Sequence, residues 1–407
     1  MRLRVLAPGY DPLVRRGMHT LALLVFATCA AGAAQDVPRG QVIDEVKCAA
    51  DPSQSYSLYL PSNYTPNRPW SLLMGFHPGA RGRAIVDKYR AAAEQYGYIV
   101  AGSNNSRNGA WQVSGQAVQA MARDLGQRFA VDERRVYLTG HSGGARVAMQ
   151  VALGQNRIAG VIASSAGYPD SKPRASVPFV IFGTAGSDDF NFIELRQLDR
   201  ALKTPHRVVI FEGGHTLPPD SLAMEAIEWM ELRAMASGLR ARDEALLDKL
   251  FTTRERAAGD AGNTPAAVHL LQALAEDFKG LRDVQAVNER ASALAKQPDV
   301  KRALARERAD EDEETRLIEK FLILEAGLND PERRMDSYGD LKFLLTDLSK
   351  KANAATDSPD RSRARRVLRI VTMGASERVK DEDYLKLLQQ YRSARPPGPA
   401  PHTPARQ

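Results

Sequence analysis

The chain has 407 residues, 43% hydrophobic and 26% charged, with a formal net charge of +7 at neutral pH. That length accommodates two or three domains and a sizeable core, and the composition is that of an ordinary globular protein. A mild positive balance without a basic stripe and interleaved aromatics excludes a nucleic-acid footprint, and two cysteines, Cys29 and Cys48, allow neither a disulfide framework nor a zinc spacing.

Residues 1–34 read as an export signal, with Met18 as an alternative start. Arg15 and Arg16 precede the apolar run Leu21–Ala27, and an A-x-A-like site follows at Ala31-Gly32-Ala33. The run is too short to cross a bilayer as a helix, and no later run is long and apolar enough for a transmembrane anchor. A periplasmic or extracellular protein is expected; Thr28 disfavours a lipid anchor on Cys29. Cys48 is then the remaining thiol, expected to be buried and structural.

From residue 35 to 237 strand-like and helix-like segments alternate. Tyr56–Leu60 reads as an edge strand ended by Pro61, and Ser71–Phe76 as a buried strand running into His77-Pro78-Gly79-Ala80. A helix over Ile85–Gln95, a strand over Tyr98–Gly102, a polar loop and a helix over Gln112–Phe129 follow. The run from Val136 enters Gly140-His141-Ser142-Gly143-Gly144 and continues as a helix. Strands over Gly160–Ser164, Val177–Phe182 and Val208–Phe211, with helices over Phe192–Leu202 and Leu222–Ala236, complete the unit. The alternation predicts an α/β fold: a mainly parallel, doubly wound sheet with its site beyond the carboxyl ends of the strands.

The residues after those strands carry the chemistry. Ser142 lies in a tight strand-to-helix turn between glycines, where strained backbone suits a nucleophile; the bland alternative is a serine capping the next helix. Two other strands end in Gly186-Ser187-Asp188-Asp189 and Gly213-Gly214-His215. His215 can take the serine proton, and a carboxylate can fix its tautomer. Asp189 is the preferred acid and Asp188 the fallback, since spacing does not separate adjacent acids. An oxyanion needs two N–H donors: Gly143 offers one, and Gly79 or Ala80, with Ala80 preferred, the other, because Pro78 has none. Asn105, Arg107, Asn108 and Trp111 stand where a substrate could be met, or cap the following helix. His206 opens a strand at the opposite end and is assigned no role.

Residues 55–236 resemble α/β-hydrolases of the secreted esterase, polyhydroxybutyrate-depolymerase-like and dienelactone-hydrolase-like group, in the stretches LYLPSNY, GFHPGARG, GSNNSRNG, GHSGGAR, FGTAGSDDFN and FEGGH. The chain order Ser, Asp, His is the one expected of that superfamily. The resemblance implies serine esterase chemistry through an acyl-enzyme, on a small-molecule or polymeric ester, with no metal or organic cofactor. The acid loop is longer than the common G-x-x-D form, which keeps Asp188 and Asp189 both open. Ala166–Ser176 leaves little room for a lid, so an open site suited to bulky or extended esters is expected. Rival readings are an inert scaffold on the same fold, or an acyltransferase or peptidase sharing the same three residues.

Residues 238–394 change character: charge rises, strand-like runs vanish, and apolar stripes at helical spacing recur, as in Ala245–Phe251, Val268–Leu274, Leu341–Leu345 and Tyr384–Leu388. An all-α region is expected, with Arg302–Arg316 a solvated helix and no fixed repeat period. It carries no catalytic constellation and is a candidate surface for a protein partner. Residues 395–407 read as a proline-rich tail.

Overall fold

The computed structural model describes residues 37–170 and 174–392. The export signal with Cys29, and the proline-rich tail, lie outside these residues.

The first part of the chain forms β1 (Val42–Lys47), β2 (Ser55–Tyr59), β3 (Trp70–Phe76), α1 (Gly82–Tyr96), β4 (Tyr98–Ser103), α2 (Trp111–Arg128), β5 (Val131–His141), α3 (Gly143–Leu153), β6 (Ile158–Ser164), β7 (Val180–Gly186), α4 (Phe192–Ala201), β8 (His206–Phe211) and α5 (Asp220–Ala236). The strands make one eight-stranded sheet in the order β1-β2-β4-β3-β5-β6-β7-β8. From β4 through β8 neighbouring strands run parallel, while β2 is antiparallel to both β4 and β1. Alternation along the strands sorts side chains to two faces. Leu72, Met74, Val136 and Leu138 pack with residues of α2 and α3; Leu73, Tyr137, Ile162 and Phe182 pack with residues of α1 and α5. This is the doubly wound, mainly parallel α/β architecture expected from the sequence.

Three details differ. The strand at Tyr56 is not the edge, because β1 pairs outside it. The sequence VIDEVK hides that strand: Asp44, Glu45 and Lys47 break the apolar pattern, as an exposed edge strand tolerates. β7 lies further along than expected, at Val180–Gly186. Pro178 cannot donate to a ladder, whereas Gly183 to Gly186 pair with β8. β5 begins five residues earlier than Val136, at the half-exposed Val131.

Among its described residues the β6–β7 connection holds no helix. Its start is tied down by a bidentate pair from Arg146 to Glu194, at 2.9 and 2.7 Å. Arg146 also donates to Tyr168 O at 2.6 Å, and Gly167 N–H to Glu194 at 2.8 Å. Cys48 is buried, and burial first and Asp124 second push its thiol up to about 12. It is a buried core residue, as expected.

The helices that follow are α6 (Glu244–Asp260), α7 (Pro265–Phe278), α8 (Gln285–Lys296), α9 (Pro298–Gly327), α10 (Arg334–Ala352), α11 (Pro359–Thr372), α12 (Ala375–Arg378) and α13 (Glu382–Arg392). Their starts carry local signals: Thr264 before Pro265 and Ser358 before Pro359 each cap a helix through the hydroxyl. The chain divides into two compact units within α9, between Glu311 and Asp312. The later unit centres on Phe321, Leu341, Leu345, Val367 and Tyr384, with buried Glu314 paired to Arg366 and Glu325 to Arg378.

One buried carboxylate explains why α6 and α7 belong with the sheet. Asp277, at the end of α7, accepts from Arg207 of β8, from Arg254 of α6 at 2.6 Å and from Trp229 Nε1 of α5 at 2.7 Å, while Arg233 donates to its carbonyl. Removing one member of a buried ionic group leaves the others uncompensated. Asp277→Ala is therefore expected to cost about 3–5 kcal/mol of stability, read from chemical denaturation. A loss below about 1 kcal/mol would mean that the arginines are satisfied without it.

Candidate active site

The turn after β5 sets the site. Ser142 has φ 54° and ψ −123°, a left-handed conformation that a residue with a side chain adopts only under constraint. The constraint comes from its neighbours. A Cβ on Gly140 would overlap the carbonyl of Gly144, and one on Gly144 would overlap the carbonyl of Phe76 in β3. Only glycines let α3 start that close to the sheet. Ser142 N–H donates to Ser164 O of β6 at 2.8 Å, locking the turn from the other side. The hydroxyl makes no capping bond to α3. Instead Ser142 Oγ lies 2.8 Å from His215 Nε2.

His215 follows β8 and Asp189 follows β7. His215 Nδ1 lies 2.8 Å from Asp189 Oδ1, and the Asp189 side chain is fully buried. The same oxygen accepts Asn191 N–H at 2.9 Å, and Asn191 Nδ2 donates to Ser165 O at 2.6 Å. Ser165 is itself left-handed, at φ 59°. The acid is thus held from the end of β6 as well as from its own loop. Asp188, the fallback, is half-buried and directs its backbone N–H to Gly213 O at 2.8 Å. Spacing could not separate the two acids; the reversal of the turn does, because Asp189 N–H bonds back to Gly186 O at 3.0 Å.

Phe190 stacks on the His215 ring, with centroids 4.2 Å apart and planes 25° from parallel. On another side His141 lies 4.9 Å from His215, centroid to centroid, and His77 lies 6.0 Å from His141. The sequence reading attached no role to Phe190, His141 or Asn191. Their positions beside Ser142 and Asp189 were the available signal. Burial, then the His215 charge, then His77, hold His141 down at about 3. Burial and then Arg81 hold His77 at about 4. Both rings are neutral at neutral pH, so the site carries no competing buried cation next to His215.

The loop from His77 to Ala80 turns back on itself. Gly79 N–H points to His77 Nδ1 at 3.0 Å, and Ala80, left-handed at φ 54°, donates its N–H to His77 O at 3.1 Å. Arg81 also reaches the ring, 2.8 Å from Nε2. A neutral imidazole accepts at one nitrogen only, so the Gly79 contact to Nδ1 and the Arg81 contact to Nε2 are alternatives, and Arg81 Nε also reaches Nδ1 at 3.5 Å.

The remaining candidates separate. Asn105 has both ends of its amide engaged, accepting from Ser55 N–H at 2.8 Å and donating to Ser53 O at 3.1 Å, which anchors β2. Trp111 is half-buried at the start of α2, packed against the core. Arg107 and Asn108 are exposed and tied to the His77–Ala80 loop: Arg107 bridges Gly79, and Asn108 N–H donates to Pro78 O at 2.9 Å. None of the four caps α2, whose N-cap is Ala110 with no side-chain bond. His206 bonds Thr204 O and Asp199 O at the start of β8, away from Ser142. Among the described residues no group of His, Cys, Asp and Glu could hold a metal ion.

No known family pattern matches the chain, and no curated protein matches it in sequence. Solved structures do. Esterase B of Lactobacillus rhamnosis is 17% identical over 50% of this chain and 89% of its own, with a TM-score of 0.41. The fluorophosphonate-binding serine hydrolase F of Staphylococcus aureus is 16% identical over 44% of this chain and 92% of its own, with a TM-score of 0.35. The feruloyl esterase module of Clostridium thermocellum is 13% identical over 50% of this chain and 94% of its own, with a TM-score of 0.38. These are likenesses at identities too low to carry an activity across.

The neutral histidines make the protein acid-sensitive. Their folded pKa values, about 4 and about 3, lie below the ordinary 6.5, so as the pH falls the unfolded chain binds protons first. Stability is full above 6.5 and declines from there toward the folded values. A loss on the order of a few kcal/mol between pH 7 and 4 is expected in urea unfolding, less steep in His141→Asn, which takes up no proton. Equal slopes for both proteins would remove His141 from the account.

Proposed function

We propose that this protein is a serine hydrolase that cleaves carboxylic esters through an acyl-enzyme. The observation that carries the reading is the continuous chain Ser142 Oγ, His215 Nε2, His215 Nδ1, Asp189 Oδ1, with both links at 2.8 Å and the serine on a left-handed turn at the head of a helix. An alkyl hydroxyl is too weak an acid to attack at neutral pH unless a base stands within hydrogen-bond reach. His215 is in that position.

In the proposed reaction Ser142 Oγ bonds to the ester carbonyl carbon while its proton passes to His215 Nε2. The carbonyl π electrons move to oxygen, and the oxyanion meets Gly143 N–H at the positive end of α3. Asp189 stabilises the imidazolium without taking its proton. The bond to the alcohol breaks, His215 returns the proton to the leaving oxygen, and an acyl-serine remains. Water then repeats the sequence with His215 as base, releasing acid and free serine. Nothing in these steps calls for a metal or organic cofactor. The short connection between β6 and β7 supports an open crevice, suited to bulky, extended or polymeric esters. The export signal read in residues 1–34 supports action in the periplasm or outside the cell.

The test is covalent labelling by a fluorophosphonate together with hydrolysis of p-nitrophenyl acetate, longer acyl esters, feruloyl esters and peptide anilides. Labelling is expected in the native protein and not in Ser142→Ala. Asp189→Asn should lower kcat by about 10⁴-fold by favouring the wrong imidazole tautomer, with a much smaller effect from Asp188→Asn. A native protein that takes no label is an inert scaffold; preferred cleavage of anilides would make it a peptidase.

A further inference from the structure

The oxyanion of the proposed reaction needs a donor besides Gly143, and the backbone of the preceding loop is poorly placed to give it. Pro78 has no N–H, Ala80 N–H is bonded to His77 O at 3.1 Å, and Gly79 N–H faces the His77 ring at 3.0 Å. We propose that the second donor is the side-chain amide of Asn108, an assignment that rests on the serine-hydrolase reading above.

Three observations place that amide. The Asn108 carboxamide lies directly on Gly143: a Cβ built there would overlap Oδ1, and would stand 2.9 Å from Cγ and 3.4 Å from Nδ2. A half-turn about χ2 exchanges the two ends of an amide and brings Nδ2 to the place of Oδ1. The residue that follows the nucleophile is a glycine because Asn108 occupies the space a side chain would take. The backbone of Asn108 is fixed, since its N–H donates to Pro78 O at 2.9 Å and the adjacent Arg107 bridges Gly79. Gly109, at φ 128°, then turns the chain away into α2. Finally, the amide of this exposed residue makes no hydrogen bond to another described residue, which leaves it available to a ligand.

A carboxamide is suited to this task. It is uncharged, so it does not trap a ground-state ester, and its two N–H groups strengthen as the carbonyl oxygen gains charge. During attack the Oγ–C bond forms, the π pair moves to oxygen, and Gly143 N–H and Asn108 Nδ2–H share the resulting negative charge. Asn108 thus joins the loop after β4 to the chemistry at the end of β5.

The competing explanation is that Asn108 only fills space beside Gly143. Steady-state kinetics on an activated ester, and inhibition by a trifluoromethyl ketone that binds as an oxyanion, separate the two. Asn108→Ala is expected to lower kcat by about 10²–10³-fold with little change in KM, and to weaken the ketone by a matching factor. Asn108→Asp should not rescue, because its carboxylate repels the oxyanion. The double variant Gly143→Ala/Asn108→Ala refills the space without restoring a donor and should stay slow. A single alanine variant within about threefold of native kcat, or a double variant that recovers the rate, overturns the assignment while leaving the hydrolase reading intact. A native protein without esterase activity or label overturns both.

Discussion

The left-handed backbone at Ser142 organises everything around it. Such a residue costs of order 1–3 kcal/mol and persists only where its surroundings leave no alternative. Here the alternative is removed on both sides. Gly144 rests on the Phe76 carbonyl of β3, Gly140 rests on Gly144, and the Ser142 N–H is held by β6. The fully buried β3 and the buried second half of β5, from Val136 to His141, hold that arrangement in place. The hydroxyl therefore projects from the sheet at one place, and each neighbouring loop is positioned relative to it.

Electrostatics follow from the same crowding. Three imidazoles lie in a row from His77 through His141 to His215, with Phe190 stacked on the last. Burial keeps the first two neutral. A positive charge forming on His215 would thus meet the buried Asp189 carboxylate and no cationic ring beside it. In a low-dielectric setting that difference is larger than it would be in water. The aromatic cover and the neutral histidines act together, one covering a face of the ring and the other keeping like charge away from it.

The helices after α5 show how composition and packing can diverge. Residues 238 onward look like a separate helical region because charge rises and strands end. Yet Asp277 gathers Arg207, Arg254 and Trp229 from three different elements into one buried group. Those contacts, with the apolar cluster running from Leu232 and Met235 to Leu271 and Leu274, place α6 and α7 in the same compact unit as the sheet. Ion pairs formed across long sequence separations leave no periodic trace in the chain.

How much was legible in the sequence follows from the range of the forces involved. Period-two and period-3.6 patterning is local, so the parallel sheet, its covering helices and the all-α stretches could be read directly, while β1 was masked by its edge charges. The glycines around Ser142 announced a turn too tight for side chains, and the strand ends named Ser142, His215 and a pair of acids. What patterning cannot carry is direction: which of Asp188 and Asp189 meets the imidazole, that Asn191 braces the acid, that Phe190 covers the ring, and that Asn108 lies on Gly143. Those outcomes depend on how separate loops turn as the sheet brings their ends together, and contacts of that kind exist only once the strands are in register.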